Sequence, residues 1–137
     1  MTKATLNTRH HCVYSLNYHL VLVTKYRKKC LTDSMLKVIE QSVKDRLSSR
    51  DGELIEFNGE RDHIHALQSF PPHVAISEFV NALKTNTARI LRRDFAENLA
   101  IFYNEPVLWS RSYCAITVGG APLEVLKTYI EQQDRPL

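Results

Sequence analysis

The sequence predicts an α+β protein built as a ferredoxin-like βαββαβ sandwich, an antiparallel four-stranded sheet with helices on one face, followed by an additional C-terminal helix. Three observations lead to this prediction. One segment alternates apolar and polar residues with a period of two, two segments carry apolar residues at helical spacing, and short apolar runs lie between turn signals. The 137 residues, 44% of them hydrophobic, suit one domain with a modest core. We expect a single domain over residues 1–137, with residues 1–12 as a flexible leader.

The first half of the pattern is predicted as strand, helix, strand, strand. Residues 13–24 alternate in the manner of a long strand, and a helix capped by Thr32 or Asp33 follows over about 33–50. Gly52 stands where the chain must reverse before a second strand over residues 54–57. Asn58-Gly59 is predicted as the turn of a hairpin, and residues 64–70 as its third strand, ended by Pro71-Pro72.

The second half adds a basic amphipathic helix, a strand and the last helix. Apolar residues from Ile76 to Leu91 repeat at helical spacing, and four basic residues lie largely off that stripe. They are Lys84, Arg89, Arg92 and Arg93. A loop is predicted over 97–108 and a fourth strand over 109–118, after which Gly119-Gly120 breaks the strand and Pro122 can open the last helix.

Charge and cysteine content exclude few classes of function, but they bear on the cellular compartment. Eighteen Lys and Arg against 15 acidic residues give a net charge of only +3, which is no strong indication of nucleic acid. The three cysteines, Cys12, Cys30 and Cys114, lack C-x-x-C spacing, so neither a disulfide framework nor a zinc ribbon is indicated. No signal-peptide core and no run of about 18 apolar residues is present. We expect a cytoplasmic protein with no membrane association.

Two spaced pairs suggest chemistry. His63 and His65 lie two apart on a strand-like run, so both imidazoles point to the same side and can chelate one metal ion. Tyr129 and Gln133, at i and i+4 of the last helix, likewise share a face. A nucleophile and three neutral metal ligands could therefore converge. Each pair alone has a plainer structural interpretation, and Asp62 could be either an acceptor for a histidine or a solvated carboxylate.

Together with the segments YHLVLVTKYRKK, ISEFVNALKTNTARILRR and LWSRSYC, these residues make the chain resemble the single-tyrosine HUH transposases of the insertion-sequence 200/605 group, from residue 13 to residue 133. The resemblance implies that Tyr129 attacks single-stranded DNA, forms a 5′-phosphotyrosine and releases a 3′-hydroxyl. It implies that His63, His65 and Gln133 bind Mg²⁺ or Mn²⁺. It also implies recognition of DNA hairpin ends and a homodimer in which the tyrosine can serve the partner's site. Because the covalent intermediate retains the bond energy, no nucleotide cofactor is needed.

Two basic segments are candidates for DNA contact, with a solvated surface as the plain alternative for each. The first is the basic side of the second helix, with Lys84, Arg89, Arg92 and Arg93. The second comprises Lys25, Tyr26, Arg27 and Lys28, where Tyr26 could stack on an unpaired base. His19, on the first strand, is predicted to be structural.

Three other functions stay open at this point. The protein could be a host-adapted relative that processes repeated palindromic elements with the same chemistry, or a non-catalytic ferredoxin-like nucleic-acid-binding module. A small His-x-His metal hydrolase would instead need an acidic base, and Glu60 and Asp62 are the nearby carboxylates in sequence.

Overall fold

The elements follow the predicted order βαββαβ, with a short strand pair in front of them. The computed structural model describes residues 7–9, 12–14, 16–117 and 128–132, and it describes side chains for 16–117 and 128–132. The elements are β1 (Asn7–Arg9), β2 (Cys12–Tyr14), β3 (Asn17–Val23), a 3-10 turn (Lys25–Arg27), α1 (Asp33–Ser49), β4 (Glu53–Gly59), β5 (His63–Ser69), α2 (Ile76–Asp94), α3 (Ala96–Ala100) and β6 (Cys114–Thr117). Among these described elements, no helix combines the length and the hydrophobicity that crossing a bilayer requires.

The main sheet has four strands in the order β4-β5-β3-β6, and every neighbouring pair is antiparallel. The first and third strands of the βαββαβ pattern, β3 and β5, therefore occupy the centre, and the second and fourth lie at the edges. This order is the one expected of the ferredoxin-like sandwich, so the predicted fold class is confirmed.

The helices pack on one face of this sheet and form the main core. Leu20, Leu22 and Ile64 point into that core from the two central strands. Each of the two long helices contributes one stripe of buried apolar residues to this core. The stripes are Met35, Ile39, Val43 and Leu47 of α1 and Phe79, Val80, Leu83 and Leu91 of α2. Thr32 caps α1 as predicted, because its hydroxyl oxygen accepts a hydrogen bond from the Met35 N–H at 3.2 Å.

The opposite face of the sheet carries a second, smaller apolar cluster. Because side chains alternate along a strand, Val21 and Val23 point away from the helices. They form a buried pair against which Cys114, Ile116, Tyr129 and Ile130 pack. The sheet therefore separates a helix-covered core from a second face, here called the open face.

The start of the chain departs from prediction. A continuous strand over 13–24 is wrong, because β2 pairs with β1 as a separate two-stranded sheet and β3 begins only at Asn17. Asn7–Arg9 lie within the expected flexible leader, yet their backbone pairs antiparallel with Cys12–Tyr14, which satisfies their hydrogen-bonding groups locally. The single-domain boundary stays a prediction.

The predicted turn at Asn58-Gly59 is wrong by two residues. Strand β4 runs through Gly59, and the chain reverses over 60–62, where the Glu60 N–H donates to the His63 carbonyl at 2.9 Å. Gly59 is needed for close packing instead, since a Cβ placed there would lie 2.5 Å from Leu36 Cδ2 of α1. This position of the reversal makes His63 the first residue of β5.

The segment after α2 also differs from prediction. The expected loop over 97–108 begins with α3, a five-residue helix that buries Leu99, and one buried residue is too few to reveal a helical period in the sequence. The expected strand over 109–118 is reduced to an isolated bridge between Trp109 and Thr24 and, after a break, to β6. Near the C-terminus, residues 128–131 are helical. Gly119-Gly120 and Pro122 lie outside the described residues, so the full extent of the last helix stays a prediction.

Candidate active site

His63 and His65 lie on the open face of the central strand β5. Ile64 and Ala66, which alternate with them, are fully buried in the helix-side core, so the two histidines share the opposite face, as the alternation predicts. The register pairs His63 with Val23 and His65 with Val21 of β3. Both imidazoles therefore flank the small apolar cluster of that face, and both are partly exposed.

Asp62 orients His63. The Asp62 Oδ1 atom lies 2.8 Å from His63 Nδ1, and Arg27 donates through Nε to Oδ2 at 3.3 Å. Burial raises the pKa of the Asp62 carboxyl, but the hydrogen bonds and charges of His63 and Arg27 outweigh burial, so this pKa lies below its usual value. The ionised carboxylate can only accept, so His63 donates to it from Nδ1, and the neutral form of His63 in this orientation has its lone pair on Nε2. Of the two interpretations of Asp62, the acceptor is the one that these contacts support.

His65 has a histidine as its own partner. His19 Nδ1 lies 2.8 Å from His65 Nε2, and the two rings meet edge to edge, with centroids 5.0 Å apart and planes 25° apart. Burial lowers the pKa of His65, and the neighbouring His19 lowers it further. His65 is therefore neutral at pH 7, which is the form that binds metal ions. The contact with His19 was not part of the sequence prediction, because 46 residues separate the two histidines.

Tyr129 lies on the same face of the sheet as the histidine pair. Its ring and Ile130 pack against the cluster of Val21 and Val23, the two residues that are paired with His65 and His63. The Tyr129 hydroxyl is 3.1 Å from Ser112 Oγ. Burial raises the pKa of Tyr129, and the hydrogen bond with Ser112 partly offsets that rise. Gln133, the predicted third ligand, lies outside the described residues.

The described part of the site offers two nitrogen ligands to a cation. Among the residues whose side chains are described, no group of three or more His, Cys, Asp or Glu could hold a metal ion. His63 and His65 nevertheless fit a ligand role, because each has one ring nitrogen hydrogen-bonded to a neighbour and a second ring nitrogen that makes no hydrogen bond to the described residues. Two neutral ligands leave coordination positions for water and phosphate oxygens.

The candidate DNA-contact segment from Lys25 to Lys28 contains the 3-10 turn and lies beside the site. Tyr26 and Arg27 have positive φ angles of 60° and 53°, and the Tyr103 hydroxyl secures the turn by donating to the Lys25 carbonyl at 2.7 Å. This backbone presents Tyr26 with 42% of its surface exposed. Arg27 instead points inward to Asp62. The structure thus divides this segment into an exposed tyrosine and an arginine that supports the histidine pair.

The other candidate segment, the basic side of α2, is not brought together with the histidines. Helix α2 packs on the helix-covered face, and Arg89, Arg92 and Arg93 are exposed there. Lys84 is half-buried, and its Nζ donates to the backbone carbonyls of Ser110 at 2.7 Å and Arg111 at 3.0 Å. Lys84 therefore holds the segment that leads to Ser112, the hydrogen-bond partner of Tyr129.

Comparison with known proteins gives a consistent family. The family model described as "Transposase IS200 like" matches residues 12–133. The ISDra2 transposase TnpA of Deinococcus radiodurans is 32% identical over 121 residues, which are 88% of this chain and 86% of that protein. A transposase for insertion sequence element IS200 from Salmonella typhimurium is 27% identical over 131 residues, covering 96% of this chain and 82% of the relative.

Solved structures agree with this assignment. A candidate transposase from Deinococcus radiodurans R1 superposes with a TM-score of 0.85 at 30% identity, over 95% of this chain and 99% of that one. A REP-associated tyrosine transposase bound to a REP hairpin shares the fold, with a TM-score of 0.56 at 10% identity over 91% of this chain and 68% of that one. The family model and the relatives confirm the resemblance found in the sequence. The chain belongs to the IS200-like family of DNA transposases.

Proposed function

We propose that this protein is a metal-dependent single-stranded DNA transposase that cuts and rejoins transposon ends through Tyr129. The observation that carries the proposal is the common face of the sheet shared by Tyr129, His63 and His65. A phenol and two imidazoles on one face provide a nucleophile next to ligands for a cation that neutralises a phosphodiester. Membership of the IS200-like transposase family supports the same chemistry.

In the proposed reaction the Tyr129 oxygen attacks the phosphorus of a phosphodiester. The Tyr129 hydroxyl gives up its proton to solvent as a bond forms between its oxygen and phosphorus, the bond from phosphorus to the 3′ oxygen breaks, and the 3′ oxygen takes up a proton to leave as a hydroxyl. The DNA 5′ phosphate then remains on the tyrosine. Attack by a 3′-hydroxyl on this phosphotyrosine reverses the step and rejoins DNA, so no nucleotide cofactor enters the balance.

The proposed metal ligands are His63, His65 and Gln133, and the proposed ion is Mg²⁺ or Mn²⁺. A bound divalent cation would polarise the phosphate and stabilise charge that develops on its oxygens. Asp62 holds His63 in the tautomer that leaves Nε2 for such an ion. Because these protein ligands are neutral, the phosphate would supply the compensating charge, and we expect cation binding to tighten when DNA is present.

The proposed substrate is single-stranded DNA with hairpin ends, and the proposed assembly is a homodimer in which Tyr129 can serve either subunit's site. A protein of the same fold has been solved with a REP hairpin, which supports a hairpin substrate here. Tyr26, exposed on a turn next to the Arg27–Asp62 pair, is well suited to stack on an unpaired base. Phosphate contacts by Lys25, Lys28 and the exposed arginines of α2 stay part of this proposal.

The test is incubation of the protein with labelled single-stranded DNA carrying hairpin ends and Mg²⁺ or Mn²⁺, followed by a denaturing gel. A covalent protein–DNA band that disappears with a chelator and in Tyr129→Phe is the expected result. Tyr113→Phe is the matched control, because that ring packs against the helix-side core and its variant should form the band normally.

Other outcomes would identify the alternatives. Free DNA ends without a protein adduct would indicate hydrolysis by a His-x-His metal centre. Binding without cleavage, across both metals and several hairpins, would indicate a nucleic-acid-binding module. Adduct formation with dispersed palindromic repeats but not with transposon ends would indicate a host-adapted relative.

A further inference from the structure

A third histidine forms part of the site, and the proposed chemistry gives it no role. His19 lies on β3, diagonally across the sheet from His65, since His19 is paired with Leu67 and Val21 with His65. Its Nδ1 is 2.8 Å from His65 Nε2, and the planes of the two rings lie within 25° of each other, which suits an in-plane hydrogen bond. This hydrogen bond acts on a residue that we propose as a metal ligand.

A hydrogen bond between two imidazole nitrogens contains one proton, and the location of that proton decides what His65 can do. If His19 donates, then His65 Nε2 accepts and the proton of the neutral His65 ring must sit on Nδ1, so both of its nitrogens are occupied. If His65 donates from Nε2, then its Nδ1 carries a free lone pair. Only the second arrangement lets His65 bind a cation while the contact with His19 is kept.

The arrangement around His63 favours this second possibility. There, Asp62 accepts at 2.8 Å from one ring nitrogen and leaves the other nitrogen for a ligand role. Metal-binding histidines usually donate their second ring N–H to such an acceptor, which sets both tautomer and ring orientation. His19 Nδ1 lies at the same distance of 2.8 Å from a ring nitrogen of His65 as Asp62 Oδ1 does from a ring nitrogen of His63, and a neutral imidazole nitrogen can accept a hydrogen bond.

We propose that His19 is a positioning residue of the metal site, which accepts a hydrogen bond from Nε2 of His65 and thereby leaves Nδ1 of His65 as the nitrogen that binds the cation. The inference rests on the proposed function in that His63 and His65 are taken as the metal ligands. It assigns to the two ligands different metal-binding atoms, Nε2 of His63 and Nδ1 of His65, each determined by its neighbour.

The direct test is the tautomer of each ring in the metal-free protein. With ¹⁵N-labelled histidine at a pH where the rings are neutral, ring nitrogen–proton correlation spectra distinguish protonated from unprotonated nitrogens. We expect a proton on Nε2 of His65 and none on Nδ1 of either His65 or His19. A proton on His19 Nδ1 would overturn the proposal. This readout requires neither metal nor activity, so it stands even if the proposed transposase chemistry fails.

The second test is the affinity for Mn²⁺, measured by electron paramagnetic resonance of the free ion. His19→Phe keeps an aromatic ring but removes the acceptor, and it should weaken Mn²⁺ binding roughly 10- to 100-fold. In His19→Asn, an amide oxygen at the position of Nδ1 can still accept from His65, so affinity should stay within about threefold of the unaltered protein. The exposed His73, changed to Asn, is the matched control and should bind Mn²⁺ normally.

The outcomes separate this inference from the proposed function. Tighter Mn²⁺ binding by His19→Phe would make His19 a competitor for the ligand nitrogen and overturn the proposal. Equal weakening by both variants would reduce His19 to a packing residue, and it too would overturn the proposal. Failure of the unaltered protein to bind Mn²⁺, with or without DNA, would contradict the proposed function instead, while the ring spectra would still decide the tautomer.

Discussion

The carboxylate of Asp62 offers the most direct test of how the site is built. Asp62→Asn keeps the size of the side chain and removes its charge. Asp62 is 7% exposed, and its two oxygens interact with His63 Nδ1 at 2.8 Å and Arg27 Nε at 3.3 Å. An amide has one acceptor oxygen, so it cannot replace both contacts, and it places no negative charge beside the His63 ring.

The size of the effect follows from these two contacts. Loss of an outer acceptor of a metal-binding histidine costs about 10- to 100-fold in metal affinity, or roughly 1.4–2.8 kcal/mol. Loss of a hydrogen bond between charged groups at the Arg27 contact should lower the free energy of unfolding by about 1–3 kcal/mol. The two losses are separable, since the first affects the metal and the second the folded chain.

The assay is Mn²⁺ titration by electron paramagnetic resonance, paired with urea unfolding monitored by circular dichroism. Asp94→Asn is the matched control, because Asp94 pairs with Arg93 on the exposed surface of α2, and it should change neither measurement. Unaltered Mn²⁺ affinity in a folded Asp62→Asn protein would refute the reasoning. It would mean that Asp62 serves only the fold.

Three further predictions follow from other contacts. Below about pH 4, the usual carboxyl range, the stability that Asp62 contributes should be lost as pH falls through its lowered pKa. The reason is that the folded state binds the proton less readily than the unfolded state. The difference in unfolding free energy between the unaltered protein and Asp62→Asn should therefore shrink on acidification, and a constant difference would contradict this prediction. Gln68 is fully buried with no hydrogen-bond partner for its amide among the described residues, so Gln68→Met should raise the free energy of unfolding by about 1–3 kcal/mol in urea, and a lower midpoint would contradict it. Lys84→Met should slow formation of the covalent adduct by roughly 3- to 100-fold, because it releases the segment that carries Ser112, the hydrogen-bond partner of Tyr129. The salt dependence of DNA binding should stay unchanged, and a shallower salt dependence would instead make Lys84 a phosphate contact.

Local periodicity was enough to predict much of the fold. The alternation around His63 and His65 predicts their common face, and the register with β3 bears this out, because a strand has only two faces. The cap at Thr32 and the apolar spacing that follows predict α1 for the same kind of reason. The family resemblance was also readable, since it depends on short segments in a fixed order.

Local patterns failed where packing between distant segments decides the structure. Gly59 belongs to an Asn-Gly dipeptide, which is typical of turns, but it lies at the end of β4, where the close approach of Leu36 requires a residue without a side chain. Helix α3 buries one residue, Leu99, so the sequence contains no helical repeat of apolar residues from which this helix could be predicted. Lys84 and Arg27 look like surface cations in the sequence, yet their partners come from segments far along the chain.

The sequence by itself determined the class of fold, the family, and the face on which His63 and His65 lie. Only the tertiary structure decided what surrounds each imidazole: Asp62 is hydrogen-bonded to His63, and His19 is hydrogen-bonded to His65. The physical reason is that the side-chain period of a strand is local, whereas the choice of cross-strand neighbour depends on the register between strands. Register is set by the whole packed sheet, and no short stretch of residues contains it.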